Sequence, residues 1–155
     1  MWIPPEIKDP VLYHAPTRRS VGYFGAVRLR DGKFLCRREA GRFNAASCLA
    51  FLKQLRRAAA RSGRRAVIII DNVRYHHARS HLAWRQAQHD SFQLLFLPPY
   101  SPDLNPVERV WKSTRRLCLH NRYFGTLEQV IATVEKQFAS WANPNGALRK
   151  LCVVT

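Results

Sequence analysis

Residues 66–72 read Ala66-Val67-Ile68-Ile69-Ile70-Asp71-Asn72, an apolar run that is almost wholly β-branched and ends abruptly in an acid and an amide. Such a run, with no polar alternation, reads as a strand buried on both faces, the usual state of strands in a parallel sheet. Asp71 follows directly, so its carboxylate projects from the carboxyl end of that strand, where open α/β sheets build their ligand sites. A strand-ending turn in which Asp71 and Asn72 bond their own backbone accounts for the same dipeptide without any chemistry.

Working outward from this strand, the pattern alternates between strands and helices. Ser20–Leu29 reads as a strand, and Asp31-Gly32 forms a hairpin turn into a second strand over Lys33–Arg38. Asn44 caps a helix that runs to about Ser62, with Phe51, Leu52, Leu55 and Ala59 on one face and Gly63 as its stop. Downstream, His77–His89 is weakly patterned helix, and Phe92–Leu97 is a short apolar strand closed by Pro98-Pro99. Pro106–Leu119 forms a helix. Thr126–Trp141 forms another, with Thr126 and Gln129 as a capping box and Leu127, Val130, Ile131, Val134, Phe138 and Trp141 on one stripe. The stretch Trp2–Pro16 carries Pro4, Pro5, Pro10 and Pro16 and reads as extended or looped chain. The order β-hairpin, α, β, α, β, α, α indicates an α/β fold in one domain.

Charge narrows the list of partners. Lys and Arg number 26 against 10 Asp and Glu, a formal net charge of +16. A surplus of this size favours a polyanion, because cationic side chains gain affinity by displacing counterions from phosphates. A merely solvated basic surface is the plain alternative. Cys36, Cys48, Cys118 and Cys152 are widely spaced, which speaks against a zinc knuckle or a disulfide framework. No apolar run is long enough to span a membrane, and no signal-peptide pattern opens the chain, so the expected compartment is the cytoplasm.

A second acid carries more information than the first. Glu108 lies in Leu104-Asn105-Pro106-Val107-Glu108, with Asn105 at the N-cap position and Pro106 at the first helical position. A capping box back to Asn105, or a pair with Lys112 one turn on, explains Glu108 locally. Neither explains the stiff approach Leu97-Pro98-Pro99-Tyr100-Ser101-Pro102-Asp103. Together, Asp71-Asn72-Val73-Arg74-Tyr75-His76 and residues 97–111 (LPPYSPDLNPVERVW) resemble the DDE transposases of the mariner-like insertion-sequence group. The resemblance extends from Trp2 to about Trp141, and 36 residues lie between Asp71 and Glu108, as in that family.

The resemblance implies a ribonuclease-H-like mixed sheet flanked by helices. Asp71 and Glu108 would be the second and third catalytic, metal-binding carboxylates, and Asn72 and His76 would support them from behind or touch substrate phosphate. The implied activity is DNA transposition by metal-dependent phosphodiester cleavage and strand transfer. Two Mg²⁺ or Mn²⁺ ions about 4 Å apart suit that reaction, since hard cations take carboxylate oxygens and neutralise an in-line transition state. The implied partners are transposon-end and target DNA and, in a complete protein, a second copy in a homodimer. Arg109, Lys112, Arg115 and Arg116 share the helix of Glu108 and are candidates for phosphate contacts. Arg56, Arg57, Arg61, Arg64 and Arg65 read as a solvated helix face, and Trp111 as core. His77 and His81 stand at zinc spacing, but the residues between them lack the glutamate of a zinc protease.

The resemblance also implies a gap. The family's first aspartate sits on a central strand before the position that Trp2 matches, and Asp9 and Asp31 lack the buried-strand setting. The expectation is therefore a partial catalytic domain over residues 1–155, without that strand and without the family's N-terminal helix-turn-helix. It would be inactive alone and be completed by an upstream split product. A DNA-binding remnant without activity, and a self-sufficient ribonuclease-H-like nuclease, are the alternatives.

Overall fold

The computed structural model describes residues 20–99 and 101–153. The reading of Trp2–Pro16, the setting of Asp9 and the ring of Tyr100 lie outside the described residues. Strands β1 (Gly22–Arg28) and β2 (Lys33–Glu39) form an antiparallel hairpin with Arg28 opposite Lys33. Its turn uses both expected residues. Gly32 takes φ +72, and Asp31 accepts from Arg28 Nε at 2.8 Å and from Lys33 N at 3.2 Å.

Helix α1 (Ala45–Ala60) begins at Asn44 with a reciprocal cap that the sequence reading missed. Asn44 Oδ1 accepts from Ser47 N at 2.9 Å, and Ser47 Oγ accepts from Asn44 N at 3.1 Å. Strand β3 (Ala66–Ile70) pairs in parallel with β4 (Phe92–Phe96), Ala66 opposite Phe92 and Ile70 opposite Phe96. Between them the expected single helix is broken into two 3₁₀ turns, Arg74–His77 and Arg79–His81, and a short α2 (Leu82–Ala87).

After a 3₁₀ turn at Pro102–Leu104 comes α3 (Pro106–Thr114), which relaxes into a π-helical turn over Arg115–Leu119. Helix α4 (Leu127–Ser140) is capped by Thr126 Oγ1 as expected, but Gln129 Oε1 bonds Gly125 N rather than closing a box on Thr126. A six-residue helix, α5 (Gly146–Leu151), adds to the elements expected from the sequence; Asn145 Oδ1 caps it at Leu148 N.

Two apolar clusters share the hairpin. One side of β1 packs with α1, β3 and β4 through Phe24, Phe51, Leu52, Leu55, Phe92 and Leu94. The other cluster gathers Phe34, Val110, Val134, Phe138, Trp141 and Leu148 beneath α3, α4 and α5. The expectation that β3 is buried on both faces holds for one face only. Ala66 is buried, whereas Val67 and Ile69 are 50% and 45% exposed. Among the described residues the strands form two separate two-stranded ladders, β1–β2 and β3–β4, with no ladder joining β1 to β3.

The edges of β1 and β3 face one another across a trench of about 580 Å³. Its floor is Phe51, Leu52 and Leu55 of α1, and Val107 and Trp111 of α3 line it as well. Phe24, early in β1, meets Tyr75, just past the end of β3, with ring centroids 6.2 Å apart, so the two facing strands run in opposite directions.

Candidate active site

At the carboxyl end of β3 the chain turns on its own polar groups, but not through an Asp-Asn turn. The His76 ring, buried in the first 3₁₀ turn, folds back on Asp71. Its Nδ1 lies 3.0 Å from the Asp71 carbonyl oxygen and 2.8 Å from carboxylate Oδ1. Both neighbours are acceptors, so Nδ1 carries the proton. The single proton lies between the carbonyl and the buried Oδ1, so among the described residues the carboxylate oxygen has at most this one shared donor. Burial pulls the imidazole below its ordinary pKa, against the opposing pull of Asp71.

Asn72 ties the two strand ends together. Its Nδ2 donates to the carbonyl oxygen of Leu97, and its Oδ1 accepts from His77 Nε2 at 3.1 Å. The His77 ring in turn stacks on Phe96, centroids 4.2 Å apart, with the Arg85 guanidinium 5.8 Å from the same ring. Leu97 N also bonds Ile70 O at 2.9 Å, extending the β3–β4 pairing by one rung. The proline-rich segment therefore leaves β4 from a fixed point. His77 serves this lock rather than a zinc site. His81 is wholly buried and donates from Nε2 to Ala45 O at 2.8 Å, tying its turn to the start of α1.

That segment delivers Glu108. Pro106 starts α3, as the sequence suggests, and Asn105 has extended backbone at the cap position. The expected capping box is absent: Asn105 makes no side-chain cap bond, and the Glu108 carboxylate has no hydrogen bond or ion pair among the described residues. Neither Asn105 nor Lys112 therefore accounts for Glu108. Its carboxylate instead lines a cavity of about 190 Å³ together with Asp71, Asn72, Leu97, Pro98, Ser101 and Asn105. The same two acids line one end of the larger trench. Two acids about 36 residues apart in the chain thus meet at one place.

Two contacts set where α3 lies. A Cβ built on Gly25 would come within 2.5 Å of the Trp111 ring, so glycine in β1 lets α3 cross close above it. Arg109 was expected to face phosphates. Its Nη1 donates instead to Leu151 O at 3.1 Å and to Val153 O at 2.5 Å, where it caps the open carbonyls of α5. Lys112, Arg115 and Arg116 are exposed, as a phosphate contact requires. Of the run read as a solvated face, Arg56 bonds Ser91 Oγ at 2.9 Å and Arg65 bonds His89 O at 3.3 Å. No motif signalled the roles of Gly25, His77 or Arg109; each depends on a partner distant in sequence.

The donor set suits a hard divalent cation in kind and falls short in number. Asp71 Oδ1 is a buried oxygen with only the His76 ring beside it, and Glu108 has no side-chain partner among the described residues. Among the described residues, no three His, Cys, Asp or Glu side chains gather as a metal-binding group. All four cysteines are free, and no described helix is long and apolar enough to cross a membrane.

Comparison with known proteins gives these observations a setting. Residues 2–131 match the family model for the DDE superfamily endonuclease. The "Insertion element IS630 uncharacterized 39 kDa protein" of Shigella sonnei is 28% identical over 122 residues, which are 77% of this chain and 34% of that protein. The "Uncharacterized protein y4pE/y4sA" of Sinorhizobium fredii (strain NBRC 101917 / NGR234) is 38% identical over 69 residues, 44% of this chain and 47% of that one. The chain therefore spans less than half the length of these relatives. The fold is similar to the crystal structure of the Mos1 strand transfer complex, with TM-score 0.67 and 22% identity over 98% of this chain and 44% of that one. It is equally similar to the Mos1 mariner paired end complex with Mn, with TM-score 0.67 and 18% identity over 98% of this chain and 46% of that one.

Proposed function

The chain belongs to the DDE superfamily endonuclease family, with the resemblance to the mariner-like insertion-sequence group, and from that premise we propose that it is the later part of a DNA transposase catalytic domain. The reading is that Asp71 and Glu108 hold Mg²⁺ or Mn²⁺ for cleavage and transfer of DNA strands. One observation carries it: Asp71 and Glu108, from distant elements, line one cavity, and among the described residues neither a capping box nor a Lys112 pair accounts for Glu108.

The divalent ions, when bound, would neutralise charge on the scissile phosphate and lower the pKa of attacking water. The chain's own residues do the positioning. His76 holds the Asp71 backbone and carboxylate at the strand end. Asn72 fixes the exit from β4, and thus the path by which Glu108 reaches the same cavity. Lys112, Arg115 and Arg116 are exposed further along the helix and its π turn, suited to DNA phosphates.

Two carboxylates are few for two hard cations, and the trench between β1 and β3 suggests where a third comes from. Among the described residues, the facing edges of β1 and β3 have no ladder partner, and the trench between them is lined largely by apolar residues. In the proposed complete domain, a ribonuclease-H-like sheet, a strand from outside the described residues lies there and brings a third acid beside Asp71 and Glu108. The facing strands run in opposite directions, so the inserted strand is antiparallel to one and parallel to the other.

The test measures strand nicking on supercoiled DNA in Mg²⁺ and in Mn²⁺. The chain alone is expected to bind duplex DNA with strong salt dependence and not to nick it. Fused behind an apolar strand that ends in aspartate, it is expected to nick, and Glu108→Gln is expected to remove that activity. Robust nicking by the chain alone that Asp71→Asn abolishes would overturn the incomplete-site reading in favour of a self-sufficient nuclease. An inert fusion that still binds Mn²⁺ would favour a DNA-binding remnant.

A further inference from the structure

We propose that the turn joining α3 to α4 is a binding site for unpaired nucleotides, with Tyr123 as the stacking platform and Arg115, Arg116 and Arg122 as phosphate contacts. This rests on the reading of DNA as the substrate and adds what form of DNA the surface takes.

The charge along this stretch has one sign. No Asp or Glu occurs between Glu108 and Glu128, while Arg115, Arg116, His120 and Arg122 fall close together. All four are exposed, and none of their side chains makes a hydrogen bond or ion pair among the described residues. Cations left free in this way remain available to a polyanion.

Tyr123 stands out from the apolar surface residues. It is 62% exposed, the highest value among the exposed large hydrophobics of the described residues, and its hydroxyl has no partner there. A frayed loop would expose a ring trivially, but this segment is pinned at both ends. On one side the π turn closes with His120 N to Arg115 O at 2.9 Å, and Arg122 N bonds Leu119 O at 3.3 Å. On the other, Gly125 N bonds Gln129 Oε1 at 2.9 Å beside the Thr126 cap of α4. Between these anchors Asn121 takes φ 56, the one non-glycine residue with positive φ among the described residues. Held left-handed backbone of this kind recurs at ligand clamps.

An exposed ring flanked by free arginines matches single-stranded DNA better than duplex. A base in a duplex is stacked on its neighbours and offers no face, whereas an unpaired base offers one regardless of its identity. Arginines alone would serve duplex and single strand alike. The ring supplies the discrimination. DNA strands opened at a cleavage site provide such bases, and the patch continues from the helix that carries Glu108.

The experiment titrates the whole chain with a single strand of about twelve nucleotides containing 2-aminopurine, and with a labelled duplex of the same length. Stacking on Tyr123 is expected to quench the probe. Tyr123→Leu is expected to abolish quenching and weaken single-strand binding about tenfold, with duplex affinity held within about twofold, and Tyr123→Phe is expected to retain both. Arg122→Gln is expected to weaken both DNAs and lower the salt slope. The proposal is overturned if Tyr123→Leu changes neither DNA or weakens both equally, or if a glutamate-rich peptide displaces the single strand at lower concentration than unlabelled single strand does. Thermal melting checks that the variants are folded. Asp71→Asn separates the two readings: it is expected to leave quenching intact, so loss of quenching in Tyr123→Leu is independent of whether the carboxylates cleave DNA.

Discussion

Phe34 on β2 is 2% exposed and meets Trp111, Phe138 and Trp141 at centroid distances of 5.7, 5.1 and 6.1 Å. Val67 and Ile69 on β3, residues of equal apolar character, stand half in solvent. Among the described residues, one sheet has helices over the face that Phe34 occupies and the other lacks cover over the face that Ile69 occupies. An apolar side chain left in water forgoes the transfer free energy that burial would provide, roughly 1.5–3 kcal/mol for a residue of this size. The hairpin with α3, α4 and α5 is thus a completed core, and the β3–β4 ladder is a core with one side open. The site lies on the boundary, with Asp71 from the open half and Glu108 from an element of the completed half.

The largest effect tests that division directly. Phe34→Ala empties the centre of the completed core and is expected to cost about 3–5 kcal/mol in chemical denaturation. Ile69→Ala, on the open face, is expected to cost no more than about 1 kcal/mol. Equal losses would mean the two halves do not differ in the way their burial indicates. In the fusion carrying an added strand, the penalty at Ile69 is expected to rise, and an unchanged value would count against the trench as that strand's seat.

A smaller effect is expected where the halves join. Gly25→Ala places a Cβ within 2.5 Å of the Trp111 ring and 2.9 Å of the Phe34 ring, contacts that force α3 away from β1. The expected cost is about 1–3 kcal/mol. Because Glu108 rides on α3, weaker Mn²⁺ binding should accompany the lost stability. A stability loss with metal affinity unchanged would show that α3 can lift without moving its first turn.

Much of the fold is legible in the sequence. The β-branched run, the Asp-Gly turn, the caps at Asn44 and Thr126 and the proline at the start of α3 are local signals, and each lies where local physics puts it. The meeting of Asp71 with Glu108 was legible only through family resemblance, since each acid had an adequate local explanation. The structure removes the one for Glu108. What could not be read depends on contacts across the chain: the exposed face of β3, Gly25 under Trp111, and Arg109 diverted from solvent to the carbonyls of Leu151 and Val153. A β-branched run reports what a strand needs on both faces. It does not report whether the covering element is among the residues that fold around it.

The smallest effect concerns how the completed half is tied to its outer helix. Tyr23 on β1 donates to Glu135 Oε1 on α4 at 3.1 Å, and Arg38 Nη1 donates to the same oxygen at 3.2 Å. Burial, and then the Glu135 carboxylate, push the Tyr23 hydroxyl up to about 12. The unfolded chain releases this proton near pH 10, whereas the folded chain keeps it, so between about pH 10 and 12 the native state binds more protons. Stability from this group is complete below pH 10 and is lost as pH rises through that window. With allowance for partial solvent screening the loss is roughly 1–2 kcal/mol. Tyr23→Phe is expected to flatten the alkaline fall measured by denaturation at pH 9 through 12, while Ile69→Ala should leave its slope as it was. A wild-type slope in Tyr23→Phe would shift the alkaline sensitivity to another group and loosen the link between β1 and α4.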